Sequence, residues 1–573
     1  MLPLTMALIT VVIPVAFCLL GNAKPSPSSQ AHEYYYNDTS PSQVYELIGY
    51  VELGTPVILK APVAGYDLIV MGSTKPYMVP GAPIVPVKIL TYKLPYGAKV
   101  EKVEVTAEVA RLEGRFRLLP CPQPQRLGSR RPAPAYVENP EIYGSQEPYP
   151  GRLYEYEVHR GVDPVTLERV TFVVVRIFPV QYVPATGNAT YIRAARVSIT
   201  YSQDMPAPAP TSTIDVVIIT NESLFAAARE LASWKNASGH VAKVYNVSYI
   251  LANYPGSDPP EKIRNFINYT VTNYGTLYVI LLGDAELVPV RRVYSAEFQE
   301  WAEYNPYVEC DLYYADLDGT WDTDGDGIYG ELEDQVDGFP DVLVGRLPAS
   351  TLEEAYAMVA KIENYRPANR WFRRILLLGT VTFPEYDPLS PEGEILKDYL
   401  EANYLPENFS WTKLYEDLGN LTVDNVVSEA SRGYGFVNFA GHGNTNLWYL
   451  GAGGYFTTSD VYALTNGYNT SVIAASACLT NDFADTDVAI SEAFLIHGGG
   501  GAIAYLGAAE VAYSYVDYWV TAGLSDEMDW RFLAAFKGLE EDGAIPTPGL
   551  MHAMAIEGYL AYHGRNDVDD WFT

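Results

Sequence analysis

The sequence predicts a multi-domain protein, with an N-terminal all-β sandwich followed by an α/β domain built on a mainly parallel sheet. Three observations support this prediction. The chain of 573 residues is too long for a single hydrophobic core. Residues 44–203 contain short alternating runs separated by Pro and Gly. From residue 212 to 573, continuous apolar runs alternate with amphipathic stretches.

The first segment has the features of an export signal. Residues 2–20 are almost uninterruptedly apolar, and Gly21-Asn22-Ala23 has the small-x-small form of a cleavage site. We therefore predict a signal peptide at 1–23, although an uncleaved anchor of this length is an alternative. A Pro- and Ser-rich linker is predicted at 24–43. Nine Asn-x-Ser/Thr sequons agree with a secreted or extracellular cell-surface protein.

Composition narrows the class of partner. The chain has 70 acidic and 38 basic residues, a net charge of −32, which argues against nucleic acid as a partner. A hydrophobic content of 48% excludes a disordered chain. Beyond the leader the chain has three cysteines, too few for a disulfide framework. We expect Cys121 and Cys310 to be buried structural residues and treat Cys478 separately.

Residues 44–203 are predicted to form the β-sandwich. Apolar and other residues alternate in runs such as 99–109 and 170–177, and turn-forming residues separate these runs at short intervals. Such alternation without helical periodicity is typical of a sandwich of antiparallel strands. The segment 204–211, which includes Pro-Ala-Pro-Ala-Pro, is predicted to be a stiff linker.

Beyond this linker, residues 212–573 are predicted to form the α/β domain. The predicted strands are 213–220, 277–284, 341–346, 375–379, 435–440, 471–476 and 502–506, and the predicted helices are 221–234, 261–272, 352–365 and 490–496. Continuous apolar strands that alternate with helices indicate a mainly parallel sheet covered on both faces.

Two of these strands are followed by reactive side chains. The run 435–440 leads to His442, which has glycines on both sides, and the run 471–476 leads to Cys478. In an open α/β sheet catalytic groups gather at the carboxyl ends of the strands, so these two can meet as general base and nucleophile. Backbone N–H groups at Gly443 and Cys478 are predicted to form an oxyanion hole. A buried structural His and Cys are the alternative.

An acidic loop has the spacing of a calcium site. Asp322, Asp324 and Asp326 stand at its positions 1, 3 and 5, and a glycine at position 6 allows the sharp turn. Ile328 offers its carbonyl at position 7, and Glu333 is the carboxylate at position 12. We predict a structural Ca²⁺ ion bound by these five residues. The alternative is a solvated acidic turn.

The segments Phe439-Ala-Gly-His442-Gly443 and Ala475-Ser-Ala-Cys478 resemble the gingipain-type cysteine peptidases, peptidase family C25. The catalytic domain of that family is α/β and belongs to the same clan as caspases and legumain. The resemblance covers residues 212–573. It implies that His442 is the general base, that Cys478 is the nucleophile, and that a thioester acyl-enzyme forms. It also implies that the β domain at 44–203 is a propeptide that inhibits the enzyme intramolecularly.

The resemblance also implies a third catalytic group and a specificity pocket. Family members place an acid near the end of the strand that corresponds to 374–379, but in this chain the next acids are Glu385 and Asp387. They are the candidates, and a backbone carbonyl can orient an imidazole equally. Residues 501–519 resemble the lysine-specific branch, in which an acid at the position of Asp517 receives the P1 ammonium. Basic P1 residues, with Lys ahead of Arg, are therefore expected.

The leading hypothesis is a secreted cysteine endopeptidase that is made as a latent precursor and acts on proteins or peptides. Two alternatives remain. One is a cell-surface processing transpeptidase of the same family, which passes the acyl group to an amine. The other is a non-catalytic, calcium-stabilised surface glycoprotein. The segment Arg130-Arg131 in the β domain is a candidate to occupy an acidic S1 pocket.

Overall fold

The computed structural model describes residues 35–37, 43–127, 135–203, 213–295, 306–384, 391–485 and 488–564. The predicted signal peptide and the predicted linker at 204–211 lie outside these residues, and so do Glu385, Asp387 and Arg130-Arg131. A short strand lies within the predicted linker at 24–43. Within the described part of the chain, every helix is too short or too polar to cross a membrane.

The N-terminal part is almost entirely β-structure. Its elements are β1 (Tyr35–Asn37), β2 (Gln43–Glu52), β3 (Val57–Lys60), β4 (Asp67–Val70), β5 (Lys75–Tyr77), β6 (Val85–Pro95), β7 (Lys99–Leu112), β8 (Gln125–Arg126), α1 (Pro140–Tyr143), β9 (Tyr154–Val162), β10 (Arg169–Ile177), β11 (Val180–Val183) and β12 (Asn188–Gln203). This composition confirms the predicted all-β class of the segment.

Two antiparallel sheets of the N-terminal part face each other. One has the order β1-β2-β12-β11, with β7 also paired to β12, and the other has the order β5-β6-β10-β9. Val105 on β7, Val173 on β10 and Val197 on β12 share one hydrophobic core. The alternating sequence pattern therefore gives the sandwich that it predicted, because alternate side chains of each strand point into the space between the sheets.

The C-terminal part alternates strands and helices. Its elements are β13 (Val216–Thr220), α2 (Phe225–Ala237), β14 (Ala242–Asn246), α3 (Val247–Asn253), α4 (Pro259–Tyr274), β15 (Tyr278–Leu282), β16 (Arg292–Tyr294), β17 (Tyr307–Glu309), β18 (Leu343–Leu347), α5 (Leu352–Asn364), β19 (Arg374–Gly379), α6 (Glu392–Tyr404), β20 (Ser410–Tyr415), α7 (Val423–Ala430), β21 (Phe436–Ala440), β22 (His442–Asn444), β23 (Leu447–Tyr449), β24 (Tyr455–Thr457), α8 (Thr458–Val461), β25 (Ser471–Ser476), α9 (Ile490–Ile496), β26 (Ala502–Gly507), β27 (Tyr513–Ser514), α10 (Leu524–Glu541) and α11 (Pro548–His563).

Nine of these strands form two parallel sheets, and the other six pair antiparallel in small sheets. The first has the order β14-β13-β15-β18, and the second has the order β20-β19-β21-β25-β26. All residues of β13, β21 and β25 are buried, as their continuous apolar sequences predict for strands covered on both faces. The prediction of a mainly parallel α/β domain is confirmed. The sequence did not reveal that its strands divide into two sheets.

Local signals in the sequence set the helix limits. Asp258 caps α4 by accepting the Glu261 N–H at 3.0 Å, and Gly275, with φ +70°, ends that helix. Thr351 and Glu354 form a capping box at the start of α5. These caps hold the two helices that pack beside the first parallel sheet.

The two parts of the chain pack against each other over mixed hydrophobic cores. Leu119 and Cys121 of the β-sandwich share one such core with Trp519 and Leu524. Polar contacts accompany this packing. The Arg176 Nε of the N-terminal part donates to the carbonyl of Ala561 at 2.9 Å. The strand β8 of the N-terminal part pairs antiparallel with β27 of the C-terminal part. This last pairing positions the N-terminal part at the candidate site.

Candidate active site

His442 and Cys478 lie at the same edge of the second parallel sheet. The strands β21 and β25 are parallel neighbours, and Ala440 at the end of one lies opposite Ser476 at the end of the other. Each reactive residue follows its strand end by two positions. The topology therefore brings the two predicted residues together, as expected for the carboxyl ends of adjacent parallel strands.

His442 begins β22 and is half-buried. Its Nε2 lies 2.7 Å from the carbonyl oxygen of Thr382. Because a carbonyl only accepts hydrogen bonds, Nε2 must carry the proton, and in this neutral tautomer Nδ1 is the proton acceptor. The ring centroid of His442 lies 6.4 Å from that of Phe383 and 6.2 Å from that of Tyr449. The imidazole is thus oriented by a backbone carbonyl, which was one of the two arrangements that the sequence left open.

The Thr382 carbonyl lies on a loop that a buried glutamate holds. The Glu392 Oε2 accepts the N–H groups of Thr382 at 3.2 Å and of Phe383 at 3.3 Å. Glu392 is fully buried, and burial raises its pKa to about 7 against the lowering effect of the backbone N–H groups. The charge of Asp517 adds to this rise. Glu392 therefore supports the loop that orients His442.

Cys478 is buried beneath a segment of the N-terminal part. Its Sγ donates to the carbonyl oxygen of Leu127 at 2.8 Å, and the N–H of Ala512 donates to Sγ at 3.3 Å. Burial raises the pKa of the Cys478 thiol to about 12, although the Ala512 N–H and the charge of Arg126 act in the opposite direction. A thiol with this pKa is protonated at neutral pH and is a poor nucleophile.

The segment that covers Cys478, residues 123–127, is called the strap below. Its first N–H, on Gln123, donates to the carbonyl of Ala135 at 2.7 Å. At its end the N–H of Leu127 donates to the carbonyl of Ala512 at 2.9 Å. Leu127 is only 3% exposed. The strap thus pairs with β27 and places the Leu127 carbonyl at the Cys478 thiol.

Gly443 allows the two strand ends to approach closely. A Cβ atom on this residue would lie 2.7 Å from the Cys478 carbonyl oxygen and 2.6 Å from the Thr480 Cγ2. Contacts under 3 Å are not tolerated, so only glycine fits here. The two residues predicted to supply oxyanion N–H groups are therefore neighbours in space.

Asp517 begins a short 3-10 helix, Asp517–Thr521, with a φ of +54°. It lies close enough to Glu392 for its charge to raise the pKa of that residue. The predicted S1 carboxylate therefore lies near Glu392, the residue that holds the loop carrying Thr382. Its role in specificity stays a prediction.

The predicted calcium loop brings together a partly different set of acids. Carboxylate oxygens of Asp322, Asp324 and Asp334 lie within 4.8 Å of one another. Glu333, predicted at position 12, is exposed and outside this group, because the 3-10 turn Leu332–Asp334 buries the next residue instead. Asp326 is also outside the group, and its Oδ1 accepts the N–H of Ile328 at 2.7 Å. The Oδ1 of Asp322 is buried without a hydrogen-bond partner.

Several residues at these sites could not be identified from the sequence. Leu127 lies in a Pro-rich stretch without a chemical signature, and Thr382 acts through its backbone. A second acidic group, Asp316, Asp318 and Asp341, brings carboxylate oxygens within 4.8 Å of one another although the residues are spread over the sequence. Only the fold unites these three, and burial raises the pKa of Asp341 to about 7.

A histidine and a cysteine at adjacent strand ends, beneath a strand from an N-terminal β domain, are the parts of a cysteine endopeptidase with its propeptide. The chain belongs to peptidase family C25, whose family model matches residues 209–570. The model of the C25 propeptide matches residues 68–225, within the β-rich part and slightly beyond it. The family resemblance of the two strand-end segments is therefore confirmed.

Curated relatives agree with this assignment. The chain is 25% identical over 217 residues to Lys-gingipain W83 of Porphyromonas gingivalis, covering 37% of this chain and 11% of the relative. It is 25% identical over 384 residues to an uncharacterised protein of Archaeoglobus fulgidus, covering 60% of this chain and 82% of the relative. Gingipain R2 of Porphyromonas gingivalis is 22% identical over 277 residues, covering 47% of this chain and 32% of that protein. The chain thus spans a minor part of the gingipains that it matches.

Two solved structures are among those that match this chain. The Arg-specific cysteine proteinase gingipain R matches with a TM-score of 0.45 and 19% identity, covering 64% of this chain and 78% of that one. The complex of the pro- and mature domains of Porphyromonas gingivalis RgpB matches with a TM-score of 0.44 and 18% identity, covering 62% of this chain and 77% of that one.

Proposed function

We propose that the chain is a latent endopeptidase in which Cys478 is the nucleophile, His442 is the general base, and the strap blocks the site until the N-terminal part is released. The observation that supports this proposal is the 2.8 Å contact between the Cys478 Sγ and the carbonyl oxygen of Leu127. A peptide carbonyl already lies where the carbonyl of a substrate must lie for attack by sulfur.

The reaction follows from the tautomer of His442. With Nε2 bonded to the Thr382 carbonyl, Nδ1 takes the proton of the Cys478 thiol, and the thiolate attacks the scissile carbonyl. Backbone N–H groups at Gly443 and Cys478 stabilise the oxyanion. The imidazolium then protonates the leaving amine, and a thioester forms. Water activated by His442 hydrolyses the thioester and restores the thiol.

Latency follows from the burial of Cys478. The strap supplies strand pairing to β27 and a hydrogen bond to the thiol, and both mimic the binding of a substrate. Because the thiol is 4% exposed with a pKa of about 12, it neither ionises at neutral pH nor meets another peptide. Removal of the strap exposes the thiol to water, which lowers its pKa toward the ordinary value.

A basic P1 residue, with Lys ahead of Arg, is proposed from Asp517. Asp517 lies near Glu392, which holds the loop that orients His442. A carboxylate there favours a basic P1 side chain, because pairing offsets the cost of burying its charge. On this proposal Leu127 is a mismatched P1 residue. It leaves the strap bound but poorly cleaved.

Structural calcium and export complete the proposal. The carboxylates of Asp322, Asp324 and Asp334 fit a hard cation, since the Asp322 Oδ1 is buried without a hydrogen-bond partner. Calcium bound there would neutralise the acidic loop and stabilise it. The apolar leader and the sequons support a secreted or cell-surface enzyme.

Active-site labelling tests this function. The full chain is trimmed within 204–211, and lysyl, arginyl and leucyl acyloxymethyl ketones are added before and after trimming. We expect labelling at Cys478, identified by mass spectrometry, to increase on trimming and to follow the order Lys, Arg, Leu. Reaction at Cys478 only after denaturation would contradict the catalytic role. A preference for the leucyl probe would contradict the P1 proposal alone.

A further inference from the structure

A buried carboxylate joins the strand that leads to Cys478 to the strand that the strap pairs with. Asp526 lies in the first turn of α10 and is 4% exposed. Its Oδ1 lies 2.6 Å from the Oγ of Ser476, and its Oδ2 lies 2.5 Å from the Oγ of Ser514. Both serines are also buried. One side chain therefore bridges β25 and β27.

Ser476 is linked to both reactive strand ends. It is the last residue of β25 and lies two positions before Cys478. Its carbonyl accepts the N–H of Gly441 at 3.1 Å, and Gly441 directly precedes His442. Because these backbone steps are short, a displacement of Ser476 would alter the placement of both reactive side chains.

Ser514 is linked to the segment that covers Cys478. It lies in β27, directly opposite Gln125 of the strap. Two residues earlier, the N–H of Ala512 donates to the Cys478 Sγ at 3.3 Å. On the proposed function a substrate replaces the strap along β27, so Ser514 lies where the bound peptide is held. The bridge made by Asp526 thus joins the nucleophile strand to the proposed peptide-binding strand.

The hydroxyl of Ser514 shows how a proton can be shared on this bridge. The Ser514 Oγ also lies 2.8 Å from the carbonyl oxygen of Tyr515, which only accepts hydrogen bonds. A hydroxyl has one proton, so when Ser514 donates to Tyr515, the proton between Ser514 and Asp526 belongs to the Asp526 carboxyl. An asparagine at this position would donate and accept in the same way as the protonated acid.

The charged groups around Asp526 already compensate each other. Asp529 lies one turn further along α10 and accepts from the Lys397 Nζ of α6 at 2.8 Å and from the Asn438 Nδ2 of β21 at 2.6 Å. Burial raises the pKa of Asp526 to about 6 against the two serine hydrogen bonds and the charge of Lys397, while the charge of Asp529 adds to the rise. Asp526 is therefore not needed as the counterion of Lys397, and its contacts with the two serines define its role.

We propose that Asp526 is a positioning residue of the peptidase, which sets the distance between Cys478 and the peptide bound along β27. It does so by bridging Ser476 and Ser514. This inference rests on the proposed peptidase function, since it concerns attack of Cys478 on a bound peptide. Loss of the bridge slows attack on a peptide along β27. It leaves the reaction of the thiol with a small reagent unchanged, because a small reagent does not use that strand.

Two reagents of different size test this role at Cys478 in the full chain. The faster of the Ala-Ala-Lys and Ala-Ala-Leu acyloxymethyl ketones is the peptidyl probe, and iodoacetamide is the small one. Both meet the same small open fraction of the chain, so latency cancels from the ratio of their rates, which mass spectrometry measures. We expect Ser476→Ala and Ser514→Ala each to lower the ratio of peptidyl to iodoacetamide rates about tenfold. Ser471→Ala, which removes a buried hydroxyl bonded to the Tyr434 carbonyl at the other end of β25, should stay within about twofold of the native ratio.

The double variant and two substitutions of Asp526 identify the bridge. Because both serines act through one carboxylate, Ser476→Ala combined with Ser514→Ala should lower the ratio by about tenfold to twentyfold, and not by the roughly hundredfold expected of independent residues. Asp526→Leu should match the double variant. Asp526→Asn, which keeps a donor and an acceptor, should stay within about threefold of the native ratio.

The outcomes separate the positioning role from the peptidase function. Native ratios in both single serine variants would overturn the positioning role while leaving the peptidase intact. A loss of about a hundredfold in the double variant, or equal losses in Asp526→Asn and Asp526→Leu, would overturn the bridge. If neither peptidyl probe labels Cys478 in the native chain, although iodoacetamide alkylates it after unfolding, the peptidase function is wrong and the positioning role with it.

Discussion

The two strand ends of the site are held in different ways. His442 is half-buried and is oriented within its own domain, through the Thr382 carbonyl and the Glu392 carboxylate behind it. Cys478 is almost fully buried, and the group that covers it comes from the other part of the chain, through the Leu127 carbonyl. On the proposed mechanism the base is therefore prepared in the full chain, and the nucleophile is withheld. The proposed latency thus concerns access to the Cys478 thiol more than assembly of the His442 and Cys478 pair.

The largest effect should come from removal of either reactive side chain. We expect Cys478→Ala and His442→Ala each to lower kcat of the trimmed chain by at least about a thousandfold, because the nucleophile and its base act as a unit. Peptide hydrolysis measures this loss. Cys310→Ala is the matched control, since it removes a buried thiol from a different place. An active Cys478→Ala enzyme would mean that Cys478 is a structural residue and not the nucleophile.

The contact between the two strand ends can be broken at Gly443. We expect Gly443→Ala to lower kcat by about a hundredfold, because its Cβ would collide with the Cys478 carbonyl and the Thr480 side chain and displace the two ends. Gly345→Ala is the control, since nothing lies within 4 Å of a Cβ there. Equal activity of the two variants would show that the close approach is not needed for catalysis.

The support of His442 can be weakened at Glu392. In Glu392→Gln, a neutral amide replaces the carboxylate that accepts the Thr382 and Phe383 N–H groups, and we expect kcat to fall about fivefold with KM little changed. The pKa of Glu392 is raised to about 7, so the carboxylate is the stronger acceptor above that pH. The gap between native and variant kcat should widen as the pH rises through 7. A gap that is constant between pH 6 and 8 would argue against this role.

Substitution of Glu527 should have the smallest effect on catalysis and a clear effect on stability. This buried carboxylate accepts from Arg531 at 2.5 Å and pairs with His563 at 3.1 Å, between α10 and α11. Burial alone would raise its pKa, but the charges of Arg531 and His563 lower it to about 2. We expect Glu527→Gln to lower the free energy of unfolding by about 3 kcal/mol at pH 7, since it leaves Arg531 buried and uncompensated.

Acidic pH should remove the difference in stability between the native protein and Glu527→Gln. A folded-state pKa below the unfolded value stabilises the fold above about pH 4.5, and that stability is lost as the pH falls toward 2. The native protein and Glu527→Gln should therefore converge between pH 4.5 and 2 in thermal unfolding. Glu540→Gln, which breaks a half-exposed pair with Arg373, should cost less than about 1 kcal/mol. A constant difference at all pH values would exclude the ionic explanation.

Much of the scaffold could be predicted from the sequence. The all-β class, the parallel α/β class and both strand ends follow from periodicity, because burial on one or two faces leaves a direct pattern in the residues. The helix at 490–496 has the predicted limits. His442 and Cys478 were predictable for the same reason, since each follows a continuous apolar run.

The rest depends on contacts between distant segments. A described partner of His442 is a backbone carbonyl, which has no side-chain signature, and Leu127 is one apolar residue among many. In the predicted calcium loop, Asp334 takes the place expected for Glu333 in the acidic cluster, because the 3-10 turn there buries Asp334. The sequence predicted that the N-terminal β domain inhibits the enzyme as a propeptide. It did not predict which residues cover Cys478.

The rate of alkylation of Cys478 in the full, untrimmed chain tests the central claim, that the strap withholds a nucleophile whose base is already oriented. Leu127→Asp places a charge in the buried contact and should release the strap, and Leu167→Asp is the control at an exposed position of the same domain. We predict that iodoacetamide alkylates Cys478 at least about tenfold faster in Leu127→Asp than in the native chain or in Leu167→Asp, with circular dichroism unchanged. Equal rates in the three proteins would contradict the account.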